Sequence, residues 1–105
     1  MQRSSAIAIG LVAFASGAAA QTIGDPAAGR RLAEAWCAEC HAIGPEIVYG
    51  LKRAPDFAEV AKRPKTTALS LNVFLRSNHD NMPNLILKRD EADDIVAYIL
   101  TLKGE

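Results

Sequence analysis

The sequence predicts an all-α domain of about four helices. Three observations lead there. Apolar residues recur at helical spacing in successive stretches after residue 25, good capping residues stand before them, and no run alternates apolar and polar long enough to form a strand. Turn residues (Gly44-Pro45, Gly50, Ala54-Pro55) punctuate the middle of the chain and separate the stretches.

The first twenty residues read as a targeting segment outside the fold. Arg3 supplies the positive start, Ala6 to Ala15 form an uncharged apolar run, and Ala18-Ala19-Ala20 offers a small-residue cleavage signature before Gln21. The run is short and alanine-rich for a membrane span, and no cysteine follows the cut to take a lipid. The reading is a cleavable signal peptide, residues 1–20, and one exported domain, residues 21–105. An uncleaved amphiphilic anchor is the alternative.

The first helix should begin after Asp25, with Pro26 at its first position and Leu32, Ala35 and Trp36 on its apolar side. Asp56 to Ala61 should form a short helix with Phe57, Val60 and Ala61 inward, ended by Pro64. Another should start near Thr67, carry Leu71, Phe74 and Leu75, and stop around Ser77-Asn78. The last is the clearest. Asp90 should cap it, Glu91, Asp93 and Asp94 suit the positive end of its dipole, and Ile95, Val96, Ile99 and Leu102 form the stripe to be buried.

The residues that carry chemistry are Cys37-Ala38-Glu39-Cys40-His41. Two thiols at this spacing, followed directly by a histidine, read as a site for covalent attachment of haem c. Thiols of Cys37 and Cys40 can add to the two vinyl groups on one edge of the ring, leaving His41 close enough to bind the iron. A structural zinc site would need further ligands, and the chain has only His41 and His79 to offer. A thioredoxin-like reading of the two cysteines would need a βαβ context.

A domain of this size buries a modest core, and a covalent cofactor would staple it in place of disulfides. Charge points to no nucleic-acid partner: of the 12 basic residues Arg3 lies in the leader, leaving 11 against 12 acidic.

The sixth iron position has two candidates. Met82 is the only methionine after the leader, set in the polar stretch His79-Asp80-Asn81-Met82-Pro83-Asn84, where core filling explains it poorly. His79 is the competitor, and a bis-histidine site is chemically open.

These residues together resemble the small soluble class I cytochromes c of the bacterial monohaem kind, over essentially all of residues 25–104. The resemblance rests on the helix entering the Cys37–His41 motif, the Ala54-Pro55-Asp56-Phe57 segment, Met82-Pro83, and a terminal helix with Ala97-Tyr98. It implies a compact fold in which the helices pack around one haem, with first and last helices crossing closely at Gly29 beside Tyr98. It implies His41 and Met82 as axial ligands and a proline carbonyl, Pro55 in preference to Pro45, accepting from the His41 ring. Asn84 could hydrogen-bond the Met82 sulfur, and a turn asparagine explains it equally well. The chain departs from the family pattern at Ala33, where an aromatic often stands, and carries Trp36 beside Cys37.

The function so implied is that of a periplasmic one-electron carrier, not an enzyme. Its partners would be transient redox proteins: a dehydrogenase or cytochrome complex as donor, an oxidase or reductase as acceptor. Alternatives are a haem enzyme or gas sensor with an openable sixth position, and a haem subunit of a larger oxidoreductase. The basic group Lys52, Arg53, Lys62, Arg63 and Lys65 and the acidic run Asp90 to Asp94 read equally as solvated faces.

Overall fold

The computed structural model describes residues 2–12, 23–44, 54–77 and 82–104. The cleavage region, Pro45, Lys52, Arg53, Asn78 and the stretch 79–81 with His79 lie outside the described residues.

Four α-helices follow in order: α1 (Pro26–Trp36), α2 (Phe57–Lys62), α3 (Ala68–Leu75) and α4 (Arg89–Thr101), the last closing in a short 3-10 turn, Leu102–Gly104. No strand occurs among the described residues beyond isolated bridge positions. The compactness expected from the sequence belongs to the helices. The whole chain spans 89 × 27 × 25 Å, and residues 2–12 are exposed and irregular, adding nothing to the core.

Local chemistry sets most boundaries. The Asp25 carboxylate accepts from the Ala27 N–H at 2.9 Å and Pro26 opens α1. Thr67 and Ser70 satisfy each other's backbone N–H groups at 3.0 and 2.8 Å, a reciprocal cap for α3. Arg63, held extended before Pro64, ends α2.

Helix α4 starts earlier than expected. Arg89 is its first residue and Lys88 its cap position, so Asp90 sits inside the first turn. The Glu91 carboxylate, three residues after Lys88, reaches back to accept from the Lys88 N–H at 2.9 Å, and this bond sets the start there.

The apolar side of α1 also differs. Gly29 and Ala33 are its buried residues, Leu32 is half-buried, and Ala35 and Trp36 are exposed. Small residues win because α1 lies directly on the backbone of α4. A Cβ added at Gly29 would overlap the Asp94 carbonyl and crowd the Ile95 nitrogen. At Gly24, whose φ of 106° suits only glycine, a Cβ would overlap the Asp93 carbonyl. The Asp25 N–H then donates to the Asp94 carboxylate at 2.8 Å, sealing the crossing.

Around this crossing Ala33, Ile43, Phe57, Ala61, Ile95, Val96, Tyr98 and Ile99 form the core, with Ile43, Ile95 and Val96 its largest fully buried side chains. On α4 the stripe Ile95, Val96 and Ile99 is buried as expected, while Leu102 is half-buried. On α3 Leu71 is buried, Leu75 half-buried and Phe74 exposed.

Tyr98 does more than pack. Its hydroxyl donates to the Ile43 carbonyl, joining α4 to the chain just after the Cys37–His41 motif. Burial, the largest influence, holds this phenol above its ordinary range; Arg30 pulls it down and Glu34 pushes it up.

Two outcomes follow from the crossing and the tether. Gly29→Ala gains about 1 kcal/mol of helix propensity but forces backbone apart, an overpacking that costs about 1–3 kcal/mol or more. A lower Tm is expected, by roughly 4–8 °C per kcal/mol of net loss; a Tm at or above that of the native protein would refute the close approach.

Tyr98→Phe leaves the Ile43 carbonyl without its donor and should cost about 1–3 kcal/mol. Because the folded phenol is raised, its contribution is whole below the unfolded phenol value of about 10 and is lost as pH rises through the folded value. Denaturant titrations from pH 8 to 11 should therefore show the native protein and Tyr98→Phe converging in stability at the alkaline end.

Candidate functional site

The Cys37–His41 motif continues the end of α1 as a tight turn. Cys37 and Ala38 both donate backbone N–H groups to Ala33 O, at 2.8 and 3.0 Å, while Cys40 and His41 donate to Cys37 O at 3.2 and 2.9 Å. The two thiols are thereby held one turn apart on a fixed backbone. Cys37 is buried and Cys40 half-buried. Burial pushes the free Cys37 thiol up to about 11, because a thiolate there would lose its water. A thioether has no such proton, so covalent attachment removes that cost.

A second pair of backbone bonds brings a distant segment to His41. Ala54 donates to Cys40 O at 3.3 Å and Phe57 donates to Ala42 O at 2.9 Å. Between them the Pro55 carbonyl accepts from His41 Nδ1 at 2.7 Å. A carbonyl can only accept, so Nδ1 carries the ring hydrogen and Nε2 keeps its lone pair for a metal. The Phe57 ring stands 5.1 Å from the imidazole, tilted by 48°, and limits its rotation.

These groups open onto a single cleft. Cys37, Cys40, His41 and Met82 all line it. Phe57, Val60, Leu71, Leu75, Leu85 and Ile99 make the walls apolar, and Glu39 is the only carboxylate lining it among the described residues. The cleft therefore brings together two thiols, an oriented imidazole and a thioether in an apolar space. Those donors and walls fit a haem: cysteines for its vinyl edge, nitrogen and sulfur for its iron, hydrocarbon for its faces.

Met82 is half-buried on the segment between α3 and α4, with Pro83 beside it in the lining. Asn84 is exposed and does not line the cleft. Trp36 was missed as a lining residue by the sequence reading, which assigned it to the buried side of α1; it stands at the cleft and is 42% exposed. The signal was its position beside Cys37, where the last turn of α1 faces the motif.

A family model described as cytochrome c matches residues 26–103. Cytochrome c-552 of Bradyrhizobium diazoefficiens (strain USDA 110) is 38% identical over 93 residues, covering 89% of each chain. No solved structure matches the chain. The chain belongs to the cytochrome c family.

Its cofactor is covalently bound haem c, and its function is electron transport with redox partners. Among the described residues no helix is long and apolar enough to cross a membrane.

Cys37→Ser removes one of the two thiols while leaving its neighbours in place. The expected result is a shifted visible spectrum of the reduced protein, as one vinyl group stays unsaturated and conjugated to the ring. An unchanged spectrum would overturn Cys37 as an attachment point.

Proposed function

We propose that this protein is an exported one-electron carrier in which Cys37 and Cys40 hold the haem and His41 and Met82 are its two axial ligands. The observation that carries this reading is the meeting of all four side chains in one apolar cleft, although Met82 lies far along the chain from the motif. Haem c supplies the one-electron couple.

The chain's own residues tune it. His41, oriented by the Pro55 carbonyl, offers Nε2 as a basic ligand in a set direction. The Met82 thioether is soft and favours the reduced metal, which raises the potential. Held by both His41 and Met82, the haem would supply electron transfer and would offer no position to a substrate, which fits a carrier rather than a catalyst. The apolar walls would exclude water from a bound haem and limit reorganisation around it.

Residues 1–20 act as the export signal, cleaved after Ala20, and residues 21–105 work in the periplasm. The support is sequence pattern: a positive start, an uncharged run and Ala18-Ala19-Ala20. Partners are met transiently through the open side of the cleft, with a dehydrogenase or cytochrome complex as donor and an oxidase or reductase as acceptor.

Met82→Ala tests the ligand set. It should abolish the weak far-red ferric band of sulfur–iron bonding, lower the potential, and allow carbon monoxide to bind the reduced protein. If Met82→Ala changes none of these and His79→Ala does, the second ligand is His79. Carbon monoxide binding by the unmodified protein would favour an openable site and a sensor or enzyme in place of a carrier.

A further inference from the structure

One short segment grips His41 from both sides. Ala54 donates its N–H to Cys40 O at 3.3 Å and Phe57 donates to Ala42 O at 2.9 Å, so the residues before and after His41 each accept one bond. The Phe57 donor can serve Ala42 because it opens α2 and has no acceptor inside its own helix. Between these bonds the segment turns two groups on the imidazole. They are the Pro55 carbonyl, 2.7 Å from Nδ1, and the Phe57 ring, 5.1 Å between centroids and tilted by 48°.

The carbonyl by itself does not fix the ring. A carbonyl oxygen accepts over a broad range of directions, and the outer torsion of a histidine side chain is broad as well. The hydrogen bond therefore settles where Nδ1 lies and leaves the ring plane free to turn about that direction. Phe57 supplies the second constraint. It is 5% exposed, belongs to the core with Ala61 and Ile99, and lines the cleft beside His41. A flat ring so held accepts a neighbouring ring at few angles, because the quadrupoles of two aromatic rings favour tilted or offset contacts.

We propose that Phe57 is a positioning residue for His41: its ring sets the plane in which the imidazole offers Nε2. The plane of an imidazole ligand governs how its π electrons overlap the orbitals of a metal, and neighbours that orient the ligand tune the metal. Pro55 fixes the tautomer and the direction of the ring; Phe57 fixes its rotation. A plane that cannot turn adds little reorganisation when one electron is gained or lost. This inference rests on the proposed reading of His41 as an iron ligand.

Proton NMR of the ferric holoprotein tests it, since the shifts of the haem ring methyls follow the planes of the axial ligands. Phe57→Leu keeps an apolar side chain and removes the flat ring. The spread of the methyl shifts should contract as the imidazole samples several planes, or their order should change as it settles in a new one. Phe57→Ile, a second variant without a ring, should give a changed pattern too, and Phe57→Tyr should keep the native one. Ile95→Val is the control for general loosening, because Ile95 is fully buried in the core and does not line the cleft.

Native spread and order in both Phe57→Leu and Phe57→Ile overturn the proposal, even where Tm falls, because Phe57 then only fills the core. An Ile95→Val variant that moves the shifts as far as Phe57→Leu overturns it as well. Failure of the carrier reading shows elsewhere. A native protein that lacks the far-red ferric band and binds carbon monoxide when reduced loses Met82 as a ligand, while methyl shifts that still depend on the Phe57 ring would leave its role at His41 standing.

Discussion

The crossing of α1 and α4 at Gly29 is the constraint on which the rest of the structure depends. Backbone meets backbone there, with no space for a Cβ between Gly29 and the Asp94 carbonyl. The Asp25 N–H and the Asp94 carboxylate close the contact at its edge, and Tyr98 extends it toward the motif through its bond to Ile43. Because the Cys37–His41 turn is a direct continuation of α1, whatever sets α1 on α4 also sets the direction in which both thiols and the imidazole face.

The site is assembled by borrowing. The end of α1 contributes thiols and imidazole, the start of α2 contributes the Pro55 carbonyl and the Phe57 ring, and the segment before α4 contributes Met82. None of these pieces binds a haem alone. What joins them is a few backbone bonds, Ala54 to Cys40 and Phe57 to Ala42, and the apolar walls of α2, α3 and α4. A small core with a large apolar cleft has little stability to spare. The covalent cofactor and the walls of its cleft are then parts of one core, and stability and function share the same residues.

Much of this was legible beforehand, for reasons that can be named. Capping and turn chemistry act over three or four residues, so Asp25-Pro26, Thr67 and Pro64 placed three helix boundaries from their own neighbourhoods. The start of α4 was misread at Asp90 because an aspartate suits a cap position, whereas Glu91, three residues after Lys88, reaches back to the Lys88 N–H and places the start there. The buried side of α1 was misread because hydrophobicity picks out Leu32, Ala35 and Trp36, while a close crossing demands small residues and takes Gly29 and Ala33. Size, not apolarity, chose that face. Phe74 is the same lesson on α3: an apolar side chain at helical spacing lies exposed at the cleft instead of within the core.

By itself the sequence determined the helical class, most helix ends, and the Cys37–His41 attachment motif, because covalent spacing and local capping are short-range properties of the chain. Tertiary structure alone decided which atoms meet across distance. It set the Pro55 carbonyl, the acceptor the resemblance implied, against the His41 ring, brought Met82 to the cleft, and left Trp36 partly exposed beside the cleft rather than buried. Those choices depend on how closely two helices can approach, and that is set by the volume of side chains from opposite ends of the chain.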